Sequence, residues 1–325
     1  MKKYYIGFIG VLLLLFAISA NASTLQQLID KAQKGQTVTL KKGAVYKGGI
    51  VIKNKSLKLY CNHAVIDAAS QKDVITIIHS PHTVIKDCVI KNSGSSGWRM
   101  DAAIKVVGSK HVTLMNNKIK NCLYGIVAKN SPYLLIEGNE IASKSFSEGE
   151  KGDGIRLWWS SNSRVVDNFI HDSRDVVSIF SNNVVFKGNK AKHSHIGVMI
   201  QNSNNNKILD FKGKNNEVNI FLNSSDGTII KSFSINNNGK YRGVVLVRAS
   251  DTLVENGKIS GCKKALVVNL SPAKAGSRNV FKNIVIENSN IGVYLHTTKE
   301  QVKRNIFSNM KYSHNKVNIL NEWNK

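Results

Sequence analysis

The chain has 325 residues, of which 46 are Lys or Arg and 21 are Asp or Glu, so its formal net charge is +25 at pH 7. The lysines are scattered, as on a solvated surface, and their summed field favours an acidic partner such as a polyuronate, an anionic lipid headgroup or an acidic protein. The chain lacks a helix-turn-helix, an RNA-binding signature and a C-x-x-C pair, which argues against nucleic-acid, thiol-redox and zinc-finger roles.

The first segment resembles a secretory signal peptide. Lys2 and Lys3 precede an almost wholly apolar run over residues 4–18, and Ala20-Asn21-Ala22 has the A-x-A form of a cleavage site. An uncleaved membrane anchor is the competing interpretation, but the run is short for a span of ~20 residues. We therefore expect a signal peptide over residues 1–22, cleavage near Ala22, and one periplasmic or secreted domain over residues 23–325.

Four cysteines follow in the mature chain. In an oxidising compartment they allow three pairings, and the sequence does not choose among them. They are Cys61, Cys88, Cys122 and Cys262.

A short helix is predicted at the start of the mature chain. Ser23 and Gln26 have the spacing of a capping box, and Leu25, Leu28 and Ile29 follow at helical spacing. This amphipathic helix is expected to cover the N-terminal end of the domain that follows it.

The rest of the chain repeats one sequence motif, here called the phrase, which consists of short apolar strands with Asn and Gly at the corners between them. The phrase appears in "VTLMNNKIKNCLYGIVAKNS" (112–131) and again in "VVFKGNKAKHSHIGVMIQNS" (184–203). Asn117, Asn139, Asn168 and Asn189 occupy one position of it. A repeat of this kind with little helix signal predicts an all-β parallel β-helix solenoid of about ten or more coils.

Two apolar columns are predicted to face the interior, as the alternation of strand side chains requires. The first is Ile104, Ile126, Ile155, Val177, Val198, Val218, Val244, Leu266, Val293 and Val317. The second, two residues later, is Val106, Ala128, Leu157, Ile179, Ile200, Ile220, Leu246, Val268, Leu295 and Ile319.

An exposed binding face is predicted on coils three to five. The columns place Trp158 beside Phe180, with Arg156 next to them, while Trp159 falls at the following corner and is expected only to pack there. Lys105 and Lys129 complete this face. Insertions at residues 93–100 and 143–152 leave the solenoid nearby and are expected to border a groove. Exposed aromatic and Arg side chains are typical of docking surfaces for proteins.

The same face supports an enzymatic alternative. Asp153, Asp175 and Arg156 offer a base and a neutralising cation for proton abstraction from a uronic acid, as in a polysaccharide lyase or epimerase. Aspartates at strand-entry corners also bond commonly to their own turn, so no catalytic residue is assigned outright.

A metal site is a further hypothesis. His193 and His195 lie two residues apart in one strand and should point to one side, with Asp172 and Met199 nearby, which would suit copper or zinc. A solvated pair of histidines is the competing interpretation.

The segments "QKGQTVTLKKGAVYKGGIVIKNKSLKLY", "MDAAI", "LYGI", "GDGIRLWWSS" and "DSRDVV", in this order over roughly residues 24–205, resemble the NosD family of periplasmic right-handed β-helix proteins. That family belongs to the wider β-helix group of carbohydrate-binding proteins and sugar hydrolases. The resemblance implies an accessory role in copper-site maturation of nitrous oxide reductase, with an ABC transporter and a copper chaperone as partners. The alternative is a carbohydrate-active protein that binds an acidic polysaccharide.

Overall fold

The structure is a computed structural model that describes residues 24–269, 278–297 and 304–323. The predicted signal peptide lies outside these residues. The described chain is an all-β parallel β-solenoid of about 11 turns, which confirms the predicted fold class. No helix within the described ranges is long and apolar enough to cross a membrane.

The solenoid begins with helix α1 (Leu25–Lys31) and continues through short strands. The strands are β1 (Thr37–Thr39), β2 (Val45–Lys47), β3 (Ile50–Lys53), β4 (Lys58–Tyr60), β5 (Val65–Asp67), β6 (Ile75–Ile78), β7 (Val84–Lys86), β8 (Val89–Lys91), β9 (Ala102–Val107), β10 (Thr113–Met115), β11 (Lys118–Cys122), β12 (Tyr124–Lys129), β13 (Leu135–Glu137), β14 (Glu140–Ser143), β15 (Ile155–Trp158), β16 (Arg164–Val166), β17 (Phe169–His171), β18 (Asp175–Ile179), β19 (Val185–Lys187), β20 (Lys190–Lys192), β21 (Ile196–Gln201), β22 (Lys207–Leu209), β23 (Lys212–Lys214), β24 (Val218–Asn223), β25 (Ile229–Asn236), β26 (Arg242–Val247), β27 (Leu253–Ser260), β28 (Lys264–Asn269), β29 (Val280–Glu287), β30 (Ile291–Thr297), β31 (Ile306–Ser313) and β32 (Val317–Trp323). A 3₁₀ turn at Glu148–Glu150 lies in the predicted insertion after β14.

Two sheets run along the solenoid axis in the described residues. Sheet B takes one strand from each coil: β3, β6, β9, β12, β15, β18, β21, β24, β26, β28, β30 and β32. Sheet A contains the other twenty strands in two parallel stacks, which merge into single longer strands from β25 onward. All the pairings are parallel, so each residue lies in an axial column one strand spacing, ~4.8 Å, from its neighbours in adjacent coils.

The N-terminal helix closes the first coil as predicted, with its capping box one residue later than expected. The Thr24 hydroxyl accepts from the Gln27 N–H, and the Gln27 side chain accepts from the Thr24 N–H. Leu25 and Ile29 are buried in the core. The Gln26 side chain hydrogen-bonds both backbone groups of Val51, so it satisfies part of the exposed edge of β3.

Polar ladders close two interior corners of the coils. Asn117, Asn139, Asn168 and Asn189 are buried, and from the second member on, each asparagine Oδ1 accepts from the backbone N–H and the side-chain Nδ2–H of the preceding member. A second ladder links the backbone N–H of one buried serine to the hydroxyl of the next, from Ser80 through Ser225. The two ladders therefore satisfy the buried polar groups of these corners coil by coil.

The interior columns match the prediction in most coils, and the prediction is wrong in three. Ile155 pairs with Val176, so Val176 and Ser178 face inward in place of Val177 and Ile179. A register shift between Asp175 and Val177 accommodates this shorter coil. In β24 the inward residues are Ile220 and Leu222, and in β32 they are Ile319 and Asn321.

Cys61 and Cys88 form a disulfide between neighbouring coils. Cys122 and Cys262 are free and buried. Of the three sets of two disulfides that the sequence allows, the structure contains one bridge of one set. Cys122 and Cys262 do not pair and act as apolar core residues.

Candidate functional site

Sheet B carries the predicted binding face, although its register differs by one residue from the expected one. Lys129, Trp158 and Ile179 share an outward column, and Arg156 pairs with Val127 and Val177. Phe180 therefore lies one position beyond Trp158, at the corner occupied by Trp159. The predicted contact between Trp158 and Phe180 is replaced by a contact through Trp159.

The three aromatic side chains form a continuous stack, which we call the aromatic ladder (Trp158, Trp159 and Phe180). The ring centroids of Trp158 and Trp159 lie 4.9 Å apart, and those of Trp159 and Phe180 lie 5.6 Å apart. Lys129 Nζ lies 5.0 Å from the Trp158 ring centroid, a cation–π contact. Trp158 is half-buried, whereas Trp159 and Phe180 are 46% and 43% exposed. Sequence reasoning therefore missed the central member of the ladder.

The corner that holds Trp159 and Phe180 is otherwise occupied mainly by small or polar residues. Both aromatic residues have φ of 49°, in the left-handed region. The corresponding corners of neighbouring coils, also left-handed, are Gly108, Asn130, Asn202, Ser224 and Arg248. Because this conformation is unfavourable for bulky side chains, two consecutive aromatic residues here call for a reason other than local backbone preference.

The other predicted face residues are engaged in ion pairs. Lys105 Nζ donates to Asp73 Oδ2 at 2.7 Å and to the Arg99 carbonyl at 2.9 Å. Arg156 Nε donates to Asp153 Oδ2 at 2.5 Å. Lys105 and Arg156 thus have their charges balanced within the protein, and Lys129 remains beside the ladder.

The predicted acidic pair is largely buried. Asp153 is 1% exposed, and its Oδ1 accepts no hydrogen bond within the described residues. Burial raises the pKa of Asp153 to about 6, which Arg156 opposes and the negative charge of Asp175 reinforces. Asp175 Oδ1 accepts from the Ile196 N–H and contacts His195 Nδ1 at 2.8 Å. These carboxylates are therefore held inside the coil wall instead of facing a groove.

The raised pKa predicts a pH dependence of stability. Between pH ~4 and ~6 the folded protein binds a proton at Asp153 more tightly than the unfolded chain does, so the free energy of unfolding falls as the pH rises through this window. We expect Asp153→Asn to remove this component, which is about 2 to 3 kcal/mol. Urea unfolding of both proteins from pH 4 to 8 measures it. A constant difference in stability across that range would contradict the expectation.

The residues predicted to bind metal do not converge. His193 Nδ1 lies 3.5 Å from Asp172 Oδ1, and His195 contacts Asp175 instead. Hydrogen bonding to Asp175 raises the pKa of His195, which favours an imidazolium over a metal ligand. Met199 packs against an apolar cluster on the outer surface of sheet B.

A second feature of sheet B was not predicted. A cleft of about 470 Å³ lies on the outer surface of β26 and β28. We call it the basic groove (Lys240, Tyr241, Arg242, Lys263, Lys264 and Tyr294). Its sequence signature, "KYR" at 240–242 followed one coil later by "KK" at 263–264, was visible among the scattered lysines but not distinguishable without the register.

Solved structures similar to this one include sugar-active β-helix proteins. The A-module of mannuronan C-5 epimerase AlgE4 from Azotobacter vinelandii matches with a TM-score of 0.66 at 13% identity, over 92% of this chain and 94% of that one. The catalytic domain of a GH87 α-1,3-glucanase in complex with nigerose matches with a TM-score of 0.57 at 12% identity, over 94% of this chain and 67% of that one. At these identities the likeness shows the fold alone.

Sequence comparisons are more specific. A model described as a right-handed β-helix region matches residues 35–143, which agrees with the predicted handedness. A Stutzerimonas stutzeri protein named "Probable ABC transporter binding protein NosD" is 23% identical over 132 residues, which is 40% of this chain and 30% of that protein. The match thus spans less than a third of the relative's length.

A family model described as "Periplasmic copper-binding protein (NosD)" matches residues 137–325. The described residues do not fit a copper site: they contain no group of three or more His, Cys, Asp or Glu side chains that could hold a metal ion. Burial raises the pKa of Cys122 to about 11 and that of Cys262 to about 12, which disfavours the thiolate that a metal needs. The family match nevertheless covers more than half of the chain, and the chain therefore belongs to the NosD family.

Proposed function

We propose that this protein is a periplasmic docking component in the maturation of the copper centre of nitrous oxide reductase, and that the aromatic ladder binds a protein of the associated ABC transporter system. Family membership and the name of the Stutzerimonas relative support the partner class. The observation that carries the docking site is the pair Trp159 and Phe180, exposed at left-handed corners in consecutive coils.

The ladder has the properties of a binding centre for a protein. Trp158 supports Trp159 from below, so the exposed rings are held rigidly and lose little entropy on binding. Aromatic side chains dominate the energetically important positions of protein interfaces.

In the proposed function, this protein does not itself bind copper. The proposal assigns the copper to a separate chaperone, as the family resemblance implies, and assigns this chain the docking surface. The solenoid instead supplies a rigid surface on which the transporter and the chaperone are held near the reductase.

The enzymatic alternative, with Asp153, Asp175 and Arg156 acting on a polyuronate, receives no support from their surroundings. Asp153 is 1% exposed, and Arg156 is bound to it. A general base has to come within hydrogen-bond reach of the proton that it removes, and neither carboxylate is open to a polymer.

The double substitution Trp159→Asn and Phe180→Asn tests the docking site. It installs the residue that neighbouring coils use at this corner, so we expect an unchanged or higher melting temperature. In a source strain that lacks this gene, the variant is expected to fail to restore nitrous oxide reduction and to lose cross-linking to the transporter. Trp98→Ala is the control, because Trp98 is 94% exposed and belongs to the insertion before β9, not to the ladder.

The outcomes test the role in reductase maturation separately from the assignment of the aromatic ladder as the docking site. Normal nitrous oxide reduction in the deletion strain would reject the role. A deletion strain that is defective but fully rescued by the double variant would reject the ladder as the docking site.

A further inference from the structure

Four lysines form a square on the outer surface of sheet A. This sheet has a first stack that begins with β1, β4 and β7 and a second stack that begins with β2, β5 and β8. The square lies on β20 and β23 of the second stack, and we call it the lysine patch (Lys190, Lys192, Lys212 and Lys214). Lys190 is the direct register partner of Lys212, and Lys192 is the direct partner of Lys214. The residue between the two lysines of each strand is buried, so all four side chains point outward from one face.

Other lysines of the second stack have an acidic partner in a neighbouring strand. Lys118 Nζ lies 2.7 Å from Glu140 Oε2, and Lys258 Nζ lies 2.8 Å from Glu287 Oε1. The four lysines of the patch form no ion pair within the described residues. Like charges directly opposite each other on adjacent strands are destabilising. The patch therefore weakens the free protein slightly and is complementary to a negative charge from outside the chain.

An exposed aromatic side chain borders the patch. Phe169 is the register partner of Lys190 in the preceding coil, and it is 37% exposed. Its ring centroid lies 4.8 Å from that of His171, which is the register partner of Lys192. One row of rings thus adjoins two rows of lysines on the same face. Lysine beside phenylalanine is a combination that protein segments use where they lie between lipid headgroups and acyl chains.

The composition of the patch distinguishes among anionic partners. Protein interfaces are enriched in Arg and depleted in Lys, and the cations of the patch are all lysines. Arg binds a carboxylate or phosphate of fixed geometry in a bidentate manner, whereas the flexible ammonium group of Lys acts as a point charge. Headgroups of a fluid bilayer present phosphates without a fixed geometry, and flexible point charges on one sheet face suit them.

We propose that the lysine patch, with Phe169 at its border, holds the protein against the surface of an anionic phospholipid bilayer. Each lysine at such a surface strengthens membrane association about fivefold, so four lysines on one face act together. The patch shares no residue with the aromatic ladder, which lies at the corner after the sheet B strands. This surface is therefore an addition to the proposed docking function.

Co-sedimentation of the purified protein with vesicles tests the surface. The vesicles consist of phosphatidylcholine with or without about 30% phosphatidylglycerol, at about 0.15 M salt, where long-range attraction is screened. We expect binding to the anionic vesicles and not to the neutral ones. The quadruple variant Lys190→Gln, Lys192→Gln, Lys212→Gln and Lys214→Gln should weaken that binding at least about thirtyfold. Because it removes like-charge repulsion, its melting temperature should be unchanged or raised.

A matched control removes the same charge from other sides of the solenoid. It carries Lys53→Gln, Lys58→Gln, Lys110→Gln and Arg164→Gln. These four residues are exposed, and they lie on sheet B, on the first stack of sheet A or at the corner between them. We expect this variant to bind the anionic vesicles less than about threefold more weakly, because its substituted side chains are remote from a bilayer that contacts the patch.

Three results would overturn the proposal. They are equal binding to anionic and neutral vesicles, an equal loss of affinity in the two quadruple variants, and binding of soluble polyglutamate by the patch without binding of vesicles. The last result would assign the patch to an acidic protein. Vesicle binding is measured on the purified protein alone, so its outcome is independent of the docking role of the aromatic ladder.

Discussion

Val176→Asp is expected to prevent stable folding of the protein. Val176 is 1% exposed and lies in the central core beside Ile155. A carboxylate there would be buried without a cation or a hydrogen-bond donor, and we expect a loss of at least about 4 kcal/mol in the free energy of unfolding. Expression yield, thermal melting and urea unfolding measure the loss.

Val177→Asp is the matched control, since it makes the same chemical change one residue later. The Val177 side chain is also only 2% exposed, but it lies outside the central core, on the outward side of sheet B, and its register partner is Arg156, which pairs with Asp153. A new carboxylate there has a cation in the neighbouring coil, so this variant is expected to fold and to lose less stability than Val176→Asp. If Val177→Asp were as damaging as Val176→Asp, the assignment of the inward column in this coil would be wrong.

Asn168→Ala is expected to produce the second large loss of stability. Asn168 Oδ1 accepts from the backbone and the side chain of Asn139, and its Nδ2 donates to the Ile136 carbonyl and to Asn189 Oδ1. The alanine would leave several buried groups without partners at about 1 to 3 kcal/mol each, so we expect a loss of about 3 to 6 kcal/mol.

An exposed asparagine provides the comparison for this substitution. Asn204 Oδ1 accepts from the Asp226 N–H, but both residues are exposed, and water can replace the bond. Asn204→Ala should therefore cost less than about 1 kcal/mol. Urea unfolding of the two variants at one pH gives the difference, and similar costs would show that the buried ladder is not a principal source of stability.

The repeated motif was sufficient to predict the fold because each coil has to bury apolar side chains at equivalent positions. Ile104, Ile126 and Ile155 follow the same corner and face the same interior, and the structure keeps them in one column. Asn117, Asn139 and Asn168 were likewise recognised as equivalent, and their hydrogen bonds explain why asparagine recurs at that position in these consecutive coils.

The predicted register was wrong in the coil where the corner before the strand does not have the usual glycine. The coil at Asp175 has aspartate in the place of Gly154, and a shift in pairing follows it. In β24, alternating Val218, Ile220 and Leu222 permit two registers, and only packing against β21 selects between them. A period of two gives no internal signal for such slips.

The functional surfaces were harder to predict than the core. Trp159 was assigned a packing role because a one-residue error placed Phe180 beside Trp158 instead. The cations of the basic groove come from two segments, 240–242 and 263–264, that are separated by about 20 residues, and scattered lysines do not reveal which of them share a column. Site prediction in this fold depends on exact register, whereas fold prediction does not.

The parallel stacking of sheet B also sets how this protein can change over evolutionary time. The aromatic ladder lies on the coils of β15 and β18 and the basic groove on those of β26 and β28, with β21 and β24 between them. Because each coil contacts only its neighbours, duplication or loss of one intervening coil would move the two surfaces by ~4.8 Å without altering the residues of either. The distance between the aromatic ladder and the basic groove could thus be adjusted in discrete steps by changes in gene length, without a change in the residues of either surface.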